Sequence, residues 1–296
     1  MSMKINKINI VVLVIVFAIG NVLVYNKIIS KSFTIEKNIV ESNKFRNPYI
    51  NEKVLKELKE NSLNSNRDFS EFITANYLLN DYSLRKTKVD GNNIKRIRKQ
   101  FVFNNKEEYY KLLKAFSAIY DDLKYFPVAK GRNTNYWVGY ENGFGESRNF
   151  MGKYKHEGCD IMAENNVSGF YPIISSTDGI VENIGWLPKG GYRVGIRSDN
   201  GGYFYYAHLS CYSNIKKGAV VKAGTLLGYM GNTGYGSIGT EGKFDVHLHF
   251  GIYIKTDNYE ELSVNPYYIL KYLENCILYA NYWKEMSQRL KIKYMP

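Results

Sequence analysis

Apolar and polar positions change their rhythm three times along the 296-residue chain. The first apolar run, Ile10 to Tyr25, has Asn21 as its only strongly polar residue, with Lys4 and Lys7 before it and Lys27 and Lys31 after it. A spanning helix takes about 20 apolar residues, and Ile5 and Ile8 extend the run. Residues 1–30 are therefore read as an N-terminal signal anchor, a transmembrane segment. A signal peptide cleaved near Ala18 and Gly20 is the alternative. The flanking lysines are balanced, so charge does not set the orientation.

Residues 31–50 read as a polar linker. From 51 to 125 the period is helical: Val54, Leu55 and Leu58; Phe69, Phe72 and Ile73; then Leu112, Phe116, Ile119, Tyr120 and Leu123. Asn105 with Glu108 three residues later has the form of a capping box. After Phe126-Pro127, glycines and short β-rich runs take over. Gly179 to Ile184 and Tyr192 to Arg197 predict strands, and Asp199-Asn200-Gly201-Gly202 predicts a hairpin turn into Tyr203 to Tyr206. Val246 to Ile254 alternates strictly, with His247, His249, Gly251 and Tyr253 on one face. Beyond Pro266 the helical period returns. The expected fold is a mainly antiparallel β domain at 126–273, a compact β-sandwich core. A membrane helix and a small α-helical region precede it, and a C-terminal helical extension at 274–296 follows.

Three cysteines are too few for a disulfide framework. The net charge of +12 calls for an anionic partner, and most of the excess lies before residue 126, densest from Arg85 to Lys99. Nucleic acid is not expected for a chain exported through a membrane. Anionic wall polymers or lipid head groups suit the same basic N-terminal region.

All four histidines, His156, His208, His247 and His249, fall in the β region. His156 precedes Asp160 in His-Glu-Gly-Cys-Asp. His247 and His249 share a strand face. Catalytic zinc takes three protein ligands and keeps one position open. His156, Asp160 and one of the strand pair would supply three, leaving His208 as a further imidazole.

The set His156-Glu-Gly-Cys-Asp160, Tyr206-Ala-His208-Leu and His247-Leu-His249-Phe-Gly, with the glycine-spaced stretch from Lys217 to Gly234 between them, resembles the M23 family of zinc metallopeptidases. These are the lysostaphin- and LytM-like peptidoglycan endopeptidases. The resemblance covers about 126 to 273 and implies a LytM-like core and one Zn²⁺ per chain held by His156, Asp160 and His249. It further implies catalytic roles for His208 and His247 without saying which is the general base, and peptidoglycan peptides as substrate. Many members also place a tyrosine shortly before the first ligand; here Phe150 stands at that spot, with Tyr154 nearby. A non-hydrolytic scaffold or activator of another cell-wall hydrolase is the alternative. The expected location is the cell membrane, single-pass, with the catalytic domain outside the cytoplasm, or secretion after signal cleavage.

Overall fold

The computed structural model describes residues 12, 14–21, 33–149 and 152–282. Residues 10, 11, 13 and 22–25 of the Ile10–Tyr25 run lie outside the described residues, as does Phe150. Among the described residues no helix is long and apolar enough to cross a membrane.

Four helices form a layer before the sheet: α1 (Asn43–Arg46), α2 (Glu52–Asn64), α3 (Phe69–Leu79) and α4 (Ile94–Tyr120). The N-cap of α2 is Asn51, whose side chain accepts from the Lys53 N–H, and the helix buries Val54, Leu55 and Leu58. α3 is buried on almost every side. Its Glu71 carboxylate is matched there by Arg67 and Arg98 at 2.8 and 3.1 Å. Part of the dense basic cluster is therefore engaged within the fold. α4 is bent at Asn105, the one residue inside it with non-helical dihedrals. Asn105 and Glu108 do not close a capping box on each other. Asn105 accepts from the Ile35 N–H and donates to the Phe33 carbonyl, while Glu108 accepts from the Asn38 N–H at 3.0 Å. Both side chains hold the incoming chain against the helix.

That chain is not the polar linker expected at 31–50. Ile35, Ile39, Val40, Phe45 and Ile50 are buried. Arg46 donates from Nε and Nη2 to the carbonyl and hydroxyl of Ser263, at 2.9 and 2.8 Å. A short segment with few apolar residues reads as a linker, but here Ile35, Ile39, Val40, Phe45 and Ile50 turn to one continuous core. The core runs from Ile35 through both the helices and the strands to Tyr282.

The sheet has ten strands: β1 (Val138–Tyr140), β2 (Cys159–Ala163), β3 (Pro172–Ile174), β4 (Gly179–Leu187), β5 (Gly191–Arg197), β6 (Tyr203–Tyr212), β7 (Val220–Val221), β8 (Leu226–Met230), β9 (His247–Ile254) and β10 (Leu262–Val264). Their order is β7-β4-β5-β6-β9-β2-β1, with β8 pairing β3 and β6, and β10 pairing β9. All these pairings are antiparallel. The expected sandwich is instead one branched sheet. Register slips between Tyr192 and Val194 on β5, and between Tyr229 and Met230 on β8, bend β6 so that its second half carries β8.

Helix α5 (Tyr267–Leu273) follows β10 and packs on α2. The helical expectation for 274–296 does not hold over 274–282. There Tyr279–Ala280 runs as a short strand parallel to Lys130–Gly131, and Tyr282 is buried. Backbone bonding to that edge outcompetes helix in so short a segment. Residues 283–296 lie outside the described residues.

Candidate metal centre and cleft

The central pairing of the sheet assembles the site. His249 on β9 is opposite Asp160 on β2 and Ala207 on β6. His156 lies just before β2 and folds over the same face. Asp160 Oδ1 is 3.0 Å from His156 Nε2 and 2.9 Å from His249 Nδ1, and the two ring nitrogens are 3.0 Å apart. Zinc–ligand bonds of about 2.0–2.1 Å in a tetrahedron would set donors roughly 3.3 Å apart. The three atoms are already within a few tenths of an ångström of that spacing. They are one group able to hold a metal ion, and their nitrogen and carboxylate donors suit zinc.

Three of the four histidines are turned by a backbone carbonyl. His156 Nδ1 donates to the Gly143 carbonyl at 3.0 Å, which leaves Nε2 unprotonated and facing the metal position. Arg148 Nη2 also approaches His156 Nδ1, but its bond is to Asp160 Oδ2 at 3.1 Å, since a donating Nδ1 cannot accept. His208 Nδ1 donates to the Thr233 carbonyl at 2.8 Å, and His247 Nδ1 to the Asp245 carbonyl at 2.7 Å. Both therefore present an unprotonated Nε2. Their rings meet edge to face at 4.8 Å between centroids.

Burial acts on these groups in opposite senses. It would raise the Asp160 carboxyl, but the imidazoles of His156, His249 and His247 around it outweigh it and hold the group below the ordinary carboxylate range. Burial lowers His208 to about 3, helped by His247 and His249. It lowers His247 as well, against an opposing pull from Asp160. Asp160 Oδ1 is 3.8 Å from His247 Nε2.

The glycine inside His-Glu-Gly-Cys-Asp has a steric reason. A Cβ on Gly158 would stand 2.6 Å from His249 Nε2 and 2.7 Å from the Phe250 carbonyl. Cys159 points to the opposite, core face and donates to the Glu141 carbonyl. Burial, then the Asp160 charge, pushes its thiol up to about 12, so it is no ligand.

The site opens into a cleft of about 790 Å³. Its floor is aromatic, with Tyr203 lying across Gly195, Tyr205 reaching Gly190 and Tyr253 across Gly251. Two residues that sequence reasoning passed over stand beside the centre. Arg148 neutralises the outer oxygen of Asp160. Tyr235 stacks on His208 at 5.9 Å, and its hydroxyl is 2.9 Å from that of Tyr154. Tyr235 follows Gly234 in the glycine-spaced stretch, which was the available signal; nothing local marks Arg148.

A mainly antiparallel sheet that gathers His, Asp and His on and beside its central strands, with two further imidazoles facing them, defines a metallopeptidase class. The sequence profile of Peptidase family M23 matches residues 154–266. A crystal structure described as a glycyl-glycine endopeptidase lytM from Ruminococcus gnavus superposes with a TM-score of 0.74 at 40% identity, covering 83% of this chain and 96% of that one. The chain belongs to peptidase family M23. The L-Ala--D-Glu endopeptidase of Bacillus subtilis (strain 168) is 40% identical over 161 residues, 54% of this chain and 47% of that protein. The glycyl-glycine endopeptidase ALE-1 of Staphylococcus capitis is 34% identical over 118 residues, 39% of this chain and 29% of that protein. The chain thus aligns with less than half the length of these curated relatives.

Proposed function

We propose that the chain is a zinc-dependent endopeptidase that hydrolyses peptide bonds in peptidoglycan, acting from the outer side of the cell membrane to which its N-terminal segment anchors it. The observation that carries this reading is the meeting of His156, Asp160 and His249 at 2.9–3.0 Å, with two carbonyl-fixed imidazoles alongside. The L-Ala–D-Glu linkage named for the Bacillus relative is the bond this reading favours.

His156 Nε2, Asp160 and His249 Nδ1 would hold the metal. Zinc there supplies Lewis acidity toward a peptide carbonyl and lowers the pKa of water. His247 is the general base. Its Nε2 is unprotonated, lies in the cleft, and gains a proton beside Asp160, whose negative charge favours the imidazolium. Asp160 is depressed enough to keep that charge at working pH. His208 is lowered by burial too, and Asp160 is the smallest influence on it where it is the second largest on His247, so His208 is the weaker proton acceptor. It orients the attacking water through Nε2 and assists proton delivery to the leaving amine. The Tyr154 and Tyr235 hydroxyls, paired at 2.9 Å, are the donors placed to reach a developing oxyanion. Phe150, which has no hydroxyl, is not needed for that role. The basic N-terminal region meets anionic wall polymers or lipid head groups.

The test is zinc analysis together with digestion of purified muropeptides by the wild-type and His247→Ala proteins. Cleavage inside the peptide by the wild type alone supports the reading. Zinc binding without any cleavage would favour a non-hydrolytic scaffold.

A further inference from the structure

Arg193 lies in the floor of the same cleft with two guanidinium nitrogens that meet no hydrogen-bond acceptor among the described residues. Arg193 is on β5, opposite Gly185 on β4. The register between β5 and β6 slips between Tyr192–Leu209 and Val194–Tyr206, which sets Arg193 beside Ala207 and His208. Ala207 is opposite His249, and His249 opposite Asp160. Arg193 therefore stands in the row that crosses the sheet to the metal ligands. Neighbouring strands are about 4.8 Å apart, so two steps place its Cα roughly 10 Å from that of His249. The residue between them is alanine, whose methyl group leaves the floor open.

The Arg193 guanidinium has Nε and Nη1 buried without a hydrogen-bond partner. Glu261 lines the same cleft, yet neither nitrogen has an acceptor. Arg197, farther along the same strand, shows what a structural arginine does here. It forks onto Glu182 with bonds of 2.6 and 2.8 Å. A half-buried guanidinium with unmet donors is costly, and a charge-assisted bond to a carboxylate would offset that cost.

We propose that Arg193 is a substrate subsite for a free carboxylate, which makes the enzyme selective for peptides with an acidic residue close to the scissile bond. An extended peptide advances about 3.3 Å per residue, so the carboxylate belongs to a residue within about three positions of that bond. A glutamyl residue joined through one carboxyl group keeps the other free and meets this requirement. The proposal rests on the hydrolase reading above for the position of the scissile bond.

The experiment uses the zinc-loaded full chain and a non-cleavable tripeptide, Ala-D-Glu-Lys, linked through the glutamyl side chain and N-methylated at the Ala–Glu amide. It is made in two forms, with a free α-carboxylate and with a carboxamide. Calorimetric titration should show the wild type binding the acid ten- to a hundredfold more tightly than the amide. Arg193→Gln should bind both alike, at the wild-type affinity for the amide, and Arg193→Lys should keep part of the preference. Equal binding of both forms by the wild type, or an undiminished preference in Arg193→Gln, would overturn the proposal. So would a lower melting midpoint in Arg193→Gln, since the guanidinium would then be a structural group. Hydrolysis of the unmethylated peptides is followed in parallel. Acid preference without hydrolysis removes the hydrolase reading and leaves the subsite standing; hydrolysis without acid preference does the reverse.

Discussion

His208 and Thr233 are joined by a 2.8 Å bond from imidazole Nδ1 to backbone carbonyl, and His208 makes it from a left-handed backbone with φ 62°. A β-strand residue with a side chain adopts this region at a cost of about 1–2 kcal/mol. The strain turns the ring out of the strand's alternation and into the cleft. Replacing His208 by Gly should therefore give a protein more stable than His208→Ala by about 1 kcal/mol, with both variants inactive. Thermal melts of the two variants check this; equal midpoints would show that the backbone there is unstrained.

Metal and proton roles should separate by mutation. His156→Ala and Asp160→Asn should lower zinc content and activity together. His247→Ala should retain zinc and lose about 10²–10⁴ in turnover, the usual worth of a general base. Elemental analysis beside muropeptide kinetics reads both quantities, and a His247→Ala protein with wild-type rates would take that residue out of the mechanism.

Gly158→Ala should mimic the loss of a ligand without removing one. The added methyl would overlap His249 Nε2, and the backbone carbonyl of Phe250 blocks escape on the other side. Zinc affinity should fall at least tenfold while the fold persists. Competition with a chromogenic chelator measures it.

The metal-free protein should lose stability on the acid side. His208 sits at about 3 when folded, below the ordinary 6.5, because it is buried and faces two other imidazoles. The unfolded chain thus binds the extra proton between those values, and stability falls as pH drops from about 6.5 toward 3. Asp160, held low when folded, adds a loss in the same direction below the ordinary carboxylate range. Denaturant titrations across pH 3–7 test this, and His208→Asn should flatten the upper part of the slope.

Residues 126–296 should not fold well alone. Removing the preceding chain exposes the core face to which Ile39, Phe45, Phe116 and Ile119 contribute, and strips Ser263 and Asn265 of their bonds to Arg46. The truncated chain should melt well below the longer one or aggregate. A cooperative, equally stable transition would make the two regions independent.

The sequence alone singled out His156, Asp160, His208, His247 and His249, which the fold gathers in one cleft. Four histidines in three short motifs, two of them on one alternating face, carry their own geometry, because a strand's period of two is a local property. It also placed the helices with a clear 3.6-residue stripe, such as Leu112 to Tyr120, though Leu123 falls past the helix end and bridges Thr177 instead. Tertiary structure decided what depends on distant partners. The 31–50 segment packs because Ser263 on β10 and Asn265 just after it bond to Arg46, and no pattern within the segment announces that. Asn105 and Glu108 spend their side chains on Phe33, Ile35 and Asn38, which a local capping signature cannot foresee. The ends of 274–282 are set by an edge strand some 150 residues away. Arg148, Tyr235 and Arg193 reach the cleft through loops and a register slip. Which surface a side chain meets across such features is fixed only when the whole sheet closes.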